Sequence, residues 1–184
     1  MYHSISRRCY DKRYFYLSPL GLLRSKICNL SEPSIVCKQL PAKAQIALSY
    51  IDNPYRMKII ETPVCTDIRY GAIVKGYARL LVWLYRHCYP GLWLLSHLRL
   101  GVFDNAKDAV DVFCKIIPEN QKILCLPRSI FASTLSKRFK RHGAMIIGAF
   151  LPTHLMHAYV IEDGCNAFRG DSAWINFAPV SIMI

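Results

Sequence analysis

Residues 121–171 decide the fold, and they read QKILCLPRSIFASTLSKRFKRHGAMIIGAFLPTHLMHAYVIEDGCNAFRGD. The pattern predicts a helix over 126–142, with Pro127 in its first turn and Gly143 as its stop. Basic residues crowd its last turns, where they complement the negative end of the helix dipole. Its apolar face carries Phe131, Leu135 and Phe139.

Two strands should follow this helix. Residues 144–151 are a continuous apolar run typical of a buried strand, and residues 157–162 predict a second strand. Asp163-Gly164 has the residue types of a tight hairpin turn and leads into a further stretch over 166–169. The expected fold class is therefore α+β, with a helix packed on an antiparallel sheet.

Two further helices are predicted upstream. Residues 72–87 present a broad apolar helical surface, which Pro90 and Gly91 end. A second helix begins at Asp104 or Asn105, because either short polar side chain can cap its first free N–H groups.

Residues 1–66 differ from the rest of the chain. Five prolines are spaced along them with only short apolar runs between, so any structure there consists of short elements. We therefore divide the chain into an N-terminal segment, 1–66, and a second domain, 67–184.

Charge and cysteine content narrow the function classes. With 24 Lys and Arg against 12 Asp and Glu, the chain is strongly basic, which favours nucleic acid, an anionic membrane surface or an acidic peptide as partner. Eight cysteines form no C-x-x-C pair and the N-terminus carries no apolar export signal, so we expect reduced thiols and a cytoplasmic location. The longest apolar region, 72–98, is interrupted by charges. A spanning helix is not expected, although a peripheral membrane contact stays open.

Cys125 stands immediately before the predicted central helix. Free N–H groups and the positive end of the dipole favour the thiolate there, so its pKa should lie below the free value of about 8.5. His157 follows after one helix and one strand, which can return the chain beside its own start. This is the arrangement needed to attack a peptide carbonyl. His154 is the competing base, but it follows Pro152 in a predicted loop.

Three acidic residues follow His157 closely, and hairpin geometry favours one of them. Strand alternation puts Glu162 on the opposite face from His157, and Asp163 is needed for the turn. Asp171 comes back on the neighbouring strand. A loop centred on Gly164 places it directly opposite His157, and a two-residue loop places it one step diagonal. The expected triad is Cys125, His157 and Asp171.

The strings CLPRSIFASTLSKRFKRHGAMIIGAF, HAYVIEDG and GDSAWINFAPVSI together resemble the transglutaminase-like peptidase part of the lasso-peptide B proteins. Members of that family have a Cys-Leu-x-Arg helix start, a basic helix end, a Val/Ile-Gly strand, a His-Ala-aromatic-Val-Glu strand and a Gly-Asp segment before a Thr-Pro-Leu-like tail. The resemblance covers the chain from about residue 121 to the C-terminus. Tyr159 stands where Trp is common, which keeps a large aromatic side chain.

The resemblance implies a papain-like cysteine peptidase in which Cys125 is the nucleophile, His157 the base and Asp171 the carboxylate that orients the base. Its implied task is to cleave the leader from a ribosomally made lasso-peptide precursor, which frees the core's N-terminal amine for macrolactam closure. The implied partner is the asparagine-synthetase-like cyclase that performs this closure. We assign the ATP associated with the family reaction to that partner, since this chain has no P-loop motif. We expect no cofactor and no metal in this chain.

The resemblance also gives residues 1–66 a task. In fused family members the N-terminal part is a small winged-helix-like domain, which adds the leader peptide as a strand to a sheet edge. Residues 1–66 have about the right length for such a domain, although its usual alternating strand run is not evident in them.

Two other interpretations compete with a peptidase. A transglutaminase-like acyltransferase would use the same triad and differ only in the acceptor of the thioester. A basic nucleic-acid-binding module would draw on interleaved cationic and aromatic residues near the N-terminus: Arg7, Arg8, Tyr10, Lys12, Arg13, Tyr14, Phe15 and Tyr16. We do not expect nucleic acid as a partner, because a solvated or partner-facing N-terminus explains these residues more simply.

Overall fold

The structure, a computed structural model, describes most of the second half of the chain and shorter parts of the first. The described residues are 2–4, 7–9, 13–17, 23–27, 41–52, 70–118, 124–150, 155–168 and 177–184. Helices and antiparallel strands are both present, which confirms the α+β class.

The elements have the following bounds. The helices are α1 (Ala42–Asp52), α2 (Ala72–His87), α3 (Tyr89–Leu95), α4 (Ala106–Ile116), α5 (Cys125–Leu135) and α6 (Phe139–His142). The strands are β1 (Tyr2–Ser4), β2 (Arg7–Cys9), β3 (Arg13–Leu17), β4 (Leu23–Ile27), β5 (Gly143–Phe150), β6 (Leu155–Glu162), β7 (Cys165–Asn166) and β8 (Ala178–Met183).

The larger sheet has the order β1-β8-β5-β6-β7, and all its neighbouring strands are antiparallel. β5 and β6 form a continuous ladder from Gly143 opposite Glu162 to Phe150 opposite Leu155. The two apolar stretches predicted as strands are thus paired with each other in the middle of the sheet.

The hairpin between β6 and β7 turns at Asp163 and Gly164, as predicted. Both residues have positive φ, 52° and 77°, which a two-residue type I′ turn requires. Glu162 lies opposite Cys165, so the loop has two residues and is not centred on Gly164. A Cβ on Gly164 would also lie 3.0 Å from the Tyr50 ring, so glycine is needed for space as well as for conformation.

Helix α5 lies at the centre of the fold, and all of its 11 residues are buried. Phe131, at its middle, is surrounded by aromatic rings. The ring centroids of Tyr77, Phe113 and Phe103 lie 5.9, 5.3 and 6.3 Å from its own. Phe131, Leu135 and Phe139, the predicted apolar face, are all in the core. The sheet lies on one side of this helix and α2 and α4 lie on others.

The prediction of one helix over 126–142 is wrong at its middle. α5 starts at Cys125 and ends at Leu135, Ser136 is extended with φ −76° and ψ 128°, and α6 then begins at Phe139. The reason is a buried polar contact. The Ser136 hydroxyl donates to Glu162 Oε1 at 2.5 Å and accepts the Phe139 N–H at 3.2 Å, which holds Ser136 out of the helical conformation.

The upstream helices agree with the prediction at the end of α2 and at the start of α4, but a further short helix lies between them. α2 ends at His87 as predicted, and Asn105 caps α4 by accepting the Asp108 N–H at 2.8 Å. The short helix α3 was not predicted, because Pro90 and Gly91 indicate only the end of the preceding helix. Proline is tolerated in a first helical turn, where its missing N–H costs nothing.

The N-terminal segment contributes to both sheets. Its described strands are short, as its prolines predicted, but α1 has 11 residues and was not expected. β2, β3 and β4 pair as a three-stranded antiparallel sheet that the sequence pattern did not reveal. β1 pairs with β8, so Tyr2 lies opposite Met183. Lys43 of α1 donates to the carbonyls of Phe139 and Lys140 at 2.8 and 3.0 Å. The boundary between 66 and 67 stays a prediction.

Glu162 joins three elements, so its replacement should destabilise the fold. Its Oε2 accepts the Ala106 N–H at 2.7 Å while Oε1 accepts the Ser136 hydroxyl. In Glu162→Gln only one side-chain oxygen remains to accept the hydrogen bonds of the Ala106 N–H and the Ser136 hydroxyl. We therefore expect the variant to lose about 1–3 kcal/mol of unfolding free energy. Urea unfolding at neutral pH measures this. Asp104→Asn, which removes an exposed carboxylate paired with Lys137, should change the midpoint little. Equal effects would contradict the clamping role of Glu162.

Candidate active site

Cys125 is the first residue of α5, and the local sequence leaves that helix end open. Leu124 occupies the cap position and has no side-chain group to bond the free N–H groups. The Arg128 N–H makes the first backbone bond, to the Leu124 carbonyl at 3.0 Å, and Pro127 has no N–H. Within the described ranges, the N–H groups of Cys125 and Leu126 have no backbone acceptor, and N–H groups at a helix start favour negative charge.

The structure brings Cys125 and His157 together. The side chain of His157, the third residue of β6, is hydrogen-bonded to the Cys125 Sγ, and the backbone N–H of Ala158 donates to the same sulfur. Both Cys125 and His157 are buried, with exposed fractions of 7% and 9%. Two of the three residues predicted as a triad are thus in direct contact.

The thiol lies beside the edge of β6. In an antiparallel strand, the N–H and C=O of alternate residues point to the same side. The Val160 carbonyl points towards β7, since it accepts the Ala167 N–H at 2.9 Å, and Ala158 two residues earlier points the same way. β7 ends at Asn166 and does not extend as far as Ala158. The Ala158 N–H therefore donates to the Cys125 Sγ and not to β7.

The surroundings lower the pKa of the Cys125 thiol. Burial is the largest single influence and acts in the opposite direction, because it disfavours the charged form. The hydrogen bonds from His157 and Ala158, together with the positive charges of His157 and Arg128, outweigh burial. The pKa therefore lies below its ordinary value, which is the direction predicted, and the contacts with His157, Ala158 and Arg128 are its causes.

Aromatic side chains and one arginine complete the surroundings of the Cys125-His157 pair. The His157 ring packs against Tyr159 and Phe177, at centroid distances of 6.0 and 5.3 Å. The Arg128 guanidinium stacks on Phe168 at 3.9 Å, and Tyr85 of α2 lies close enough for the Cys125 charge to raise its pKa further, after burial. Arg128 had a signal in the Cys-Leu-x-Arg string, whereas Tyr85 had none beyond its place on an apolar helix surface.

The carboxylates near His157 are placed as follows. Glu162 is committed to Ser136 and Ala106, and Asp163 is paired with Arg138 and His142 beside the turn. Neither is free to orient His157, in agreement with the sequence argument. Asp171 and the competing base His154 lie outside the described residues. The role of Asp171 stays a prediction.

Other kinds of site receive no support within the described ranges. They contain no cluster of three or more His, Cys, Asp or Glu side chains able to hold a metal ion. In the same part of the chain, every helix is too short or too polar to cross a membrane. Cys88, Cys114, Cys125 and Cys165 are free thiols. Comparisons of the chain with protein-family models, curated proteins and solved structures found no match.

The reactivity of Cys125 should depend on pH through its contact with His157. We expect its rate of alkylation by iodoacetamide to rise with a midpoint below about 8.5, the value of a free thiol. In His157→Ala, two of the influences that lower the pKa of Cys125 are lost, so the midpoint should rise above that of the wild type. Mass spectrometry of the Cys125 peptide over a pH series measures both.

His142→Ala is the matched control, because His142 is an exposed histidine at the other end of the hairpin. Its alkylation midpoint should equal that of the wild type. An unchanged midpoint in His157→Ala would contradict the proposed pairing of the two side chains.

Proposed function

We propose that this chain is a cysteine peptidase of the transglutaminase-like, papain-like type, with Cys125 as nucleophile and His157 as general base. The observation that carries the proposal is the contact between these two side chains at the start of a buried helix. A cysteine buried only as a small apolar residue would have a raised pKa, whereas the pKa of Cys125 is lowered.

The geometry supports an acyl-transfer cycle. The Cys125 thiolate attacks the carbonyl carbon of the scissile peptide, a C–S bond forms, and the carbonyl electrons move onto oxygen. The free N–H groups of Cys125 and Leu126 are positioned to hydrogen-bond this oxyanion. As the intermediate collapses, the C–N bond breaks and His157 gives its proton to the departing amine.

Hydrolysis then regenerates the enzyme. A water molecule loses a proton to His157 and attacks the thioester carbonyl, the C–S bond breaks, and the thiolate returns with the imidazolium beside it. The N-terminal fragment leaves as a carboxylate. Asp171, in this proposal, accepts the other imidazole N–H, fixes the tautomer and stabilises the imidazolium.

The substrate class is proposed from the sequence resemblance. In this proposal the chain cleaves the leader from a lasso-peptide precursor and passes the freed core to an asparagine-synthetase-like cyclase, which uses ATP. No cofactor or metal is needed for the cleavage step itself.

The Arg128-Phe168 stack beside the thiol keeps a cation near the reacting carbonyl, which supports the acyl-transfer chemistry.

Leader recognition is proposed for residues 1–66. Strand addition needs a sheet edge, and β4 pairs only with β3 among the described strands, which leaves its other edge for an extended peptide. β1 and Lys43 contact the larger sheet and α6, so deletion of the whole segment would also disturb the catalytic part. Competition by an isolated leader peptide is therefore the cleaner experiment.

Removal of the nucleophile should abolish cleavage. Cys125→Ala should lower kcat by a factor of about 10⁴ or more and leave the unfolding midpoint nearly unchanged. Cys114→Ala is the matched control, because Cys114 lies in the same region, 4.0 Å from Arg128 Nη1, and has no task in the cycle. Precursor turnover followed by mass spectrometry measures both. Cleavage by Cys125→Ala above about 1% of wild type would contradict covalent catalysis.

The acid of the triad can be tested by two matched substitutions. Asp171→Asn should preserve folding and lower kcat by about 10³–10⁴, because the amide cannot hold the required tautomer. Asp163→Asn should cost little, since asparagine also tolerates the positive φ of 52° that the turn requires. A nearly active Asp171→Asn enzyme would leave a Cys125-His157 dyad as the simpler mechanism.

A further inference from the structure

Residues 98–102, the aliphatic loop, expose three apolar side chains side by side. Leu98, Leu100 and Val102 have exposed fractions of 41%, 58% and 47%. They alternate with Arg99, whose guanidinium stacks on the Phe139 ring at 4.8 Å, and with Gly101, whose φ is +63°. The three aliphatic groups are thus exposed to solvent, while the arginine lies against the core residue Phe139.

The backbone of the aliphatic loop is held against the end of α5. The N–H groups of Leu100 and Gly101 donate to the Thr134 carbonyl at 2.8 and 3.2 Å, and the Val102 N–H donates to the Leu135 carbonyl at 2.7 Å. The three apolar side chains are therefore presented by a fixed backbone.

A basic patch, Lys137, Arg138, Lys140 and Arg141, adjoins this loop. Lys137 lies against the loop, because a side chain at Gly101 would place its Cβ only 3.4 Å from the Lys137 Cγ. Lys137 pairs with Asp104 at 2.8 Å, and Arg138 lies 3.8 Å from Asp163. Within the described ranges, Lys140 and Arg141 make no ion pair, and both are exposed. The patch thus keeps an excess of positive charge beside the apolar side chains.

We propose that the aliphatic loop and the basic patch dock this protein onto an anionic membrane surface. Leu98, Leu100 and Val102 enter the boundary between headgroups and acyl chains, and Lys140 and Arg141 contact lipid phosphates. Apolar burial and electrostatic attraction act together in such binding, and neither suffices alone.

The occupant follows from the chemistry of the surface. Single-stranded nucleic acid is bound by aromatic side chains on which bases stack, and the aliphatic loop has none. A protein partner needs about 800 Å² of surface on each side, which three side chains at a loop do not offer. A lipid surface requires only a few apolar groups surrounded by cations.

The docking end lies away from the candidate active site. Thr134 and Leu135 are at the C-terminal end of α5 and Cys125 is at its N-terminal end, with 11 residues in the helix. At about 1.5 Å per residue, the two ends are roughly 15 Å apart. Docking at that end therefore does not cover the thiol.

Vesicle co-sedimentation of the full chain tests the proposal. Wild type should bind vesicles of phosphatidylcholine with phosphatidylglycerol, and bind phosphatidylcholine alone at least about tenfold more weakly. Leu98→Ser with Leu100→Ser should weaken binding to the anionic vesicles about tenfold or more, and so should Lys140→Glu with Arg141→Glu. Unfolding midpoints of both double variants should match wild type, because all four side chains are exposed.

Matched controls come from the exposed part of the neighbouring helices. Ile73→Ser with Leu94→Ser removes two apolar groups that are more exposed than Leu98 and Leu100, and Arg79→Glu with Arg86→Glu reverses the same amount of charge. Both should bind within about twofold of wild type. Equal losses in controls and test variants would mean that net charge or general apolarity drives binding, and would overturn the proposal. Absence of vesicle binding, or binding of DNA in its place, would overturn it as well.

Discussion

The burial of α5 on every side is the constraint from which the rest of the structure follows. A helix without a solvent-facing side must find partners for the free polar groups at both of its ends inside the protein. At the C-terminal end the carbonyls of Thr134 and Leu135 accept N–H groups from the segment after α3. At the N-terminal end Leu124 offers no side-chain cap, and within the described ranges the N–H groups of Cys125 and Leu126 have no backbone acceptor. In the described part of the chain, the two ends of α5 thus differ: backbone N–H groups from another segment bond the C-terminal carbonyls, whereas the N-terminal end lacks a side-chain cap.

The sequence could predict those features that depend on neighbouring residues. Asn105 capping α4 and the positive φ values of Asp163 and Gly164 are consequences of side chains within a few positions, so their residue types were sufficient. The break at Ser136 could not be predicted, because its cause is Glu162, a residue 26 positions away that only the fold brings near. The same holds for β1, whose partner β8 is at the other end of the chain.

In the candidate site, too, some features could be predicted from the sequence and others depend on the fold. Cys125 and His157 were identified by residue type and by the elements between them, and their contact is present in the structure. The Ala158 N–H was not anticipated, because a backbone donor has no signature in the sequence. The predicted position of Asp171 assumed that the strand after the Asp163-Gly164 turn stays paired with β6 as far as His157. The last described hydrogen bond between the two strands joins the Ala167 N–H to the Val160 carbonyl. Two residues earlier in β6, the Ala158 N–H donates to the Cys125 sulfur and not to a neighbouring strand.

The interruption at Ser136 separates the helix that carries the nucleophile from α6. In an unbroken helix, a displacement at one end travels along the axis as in a rigid rod. Ser136 is instead anchored to Glu162 and to Phe103, so a load applied to α6 passes into the sheet and the preceding loop. The break therefore keeps Cys125 off the direct line of such a load, whereas His157 shares strand β6 with Glu162 and lies on that line.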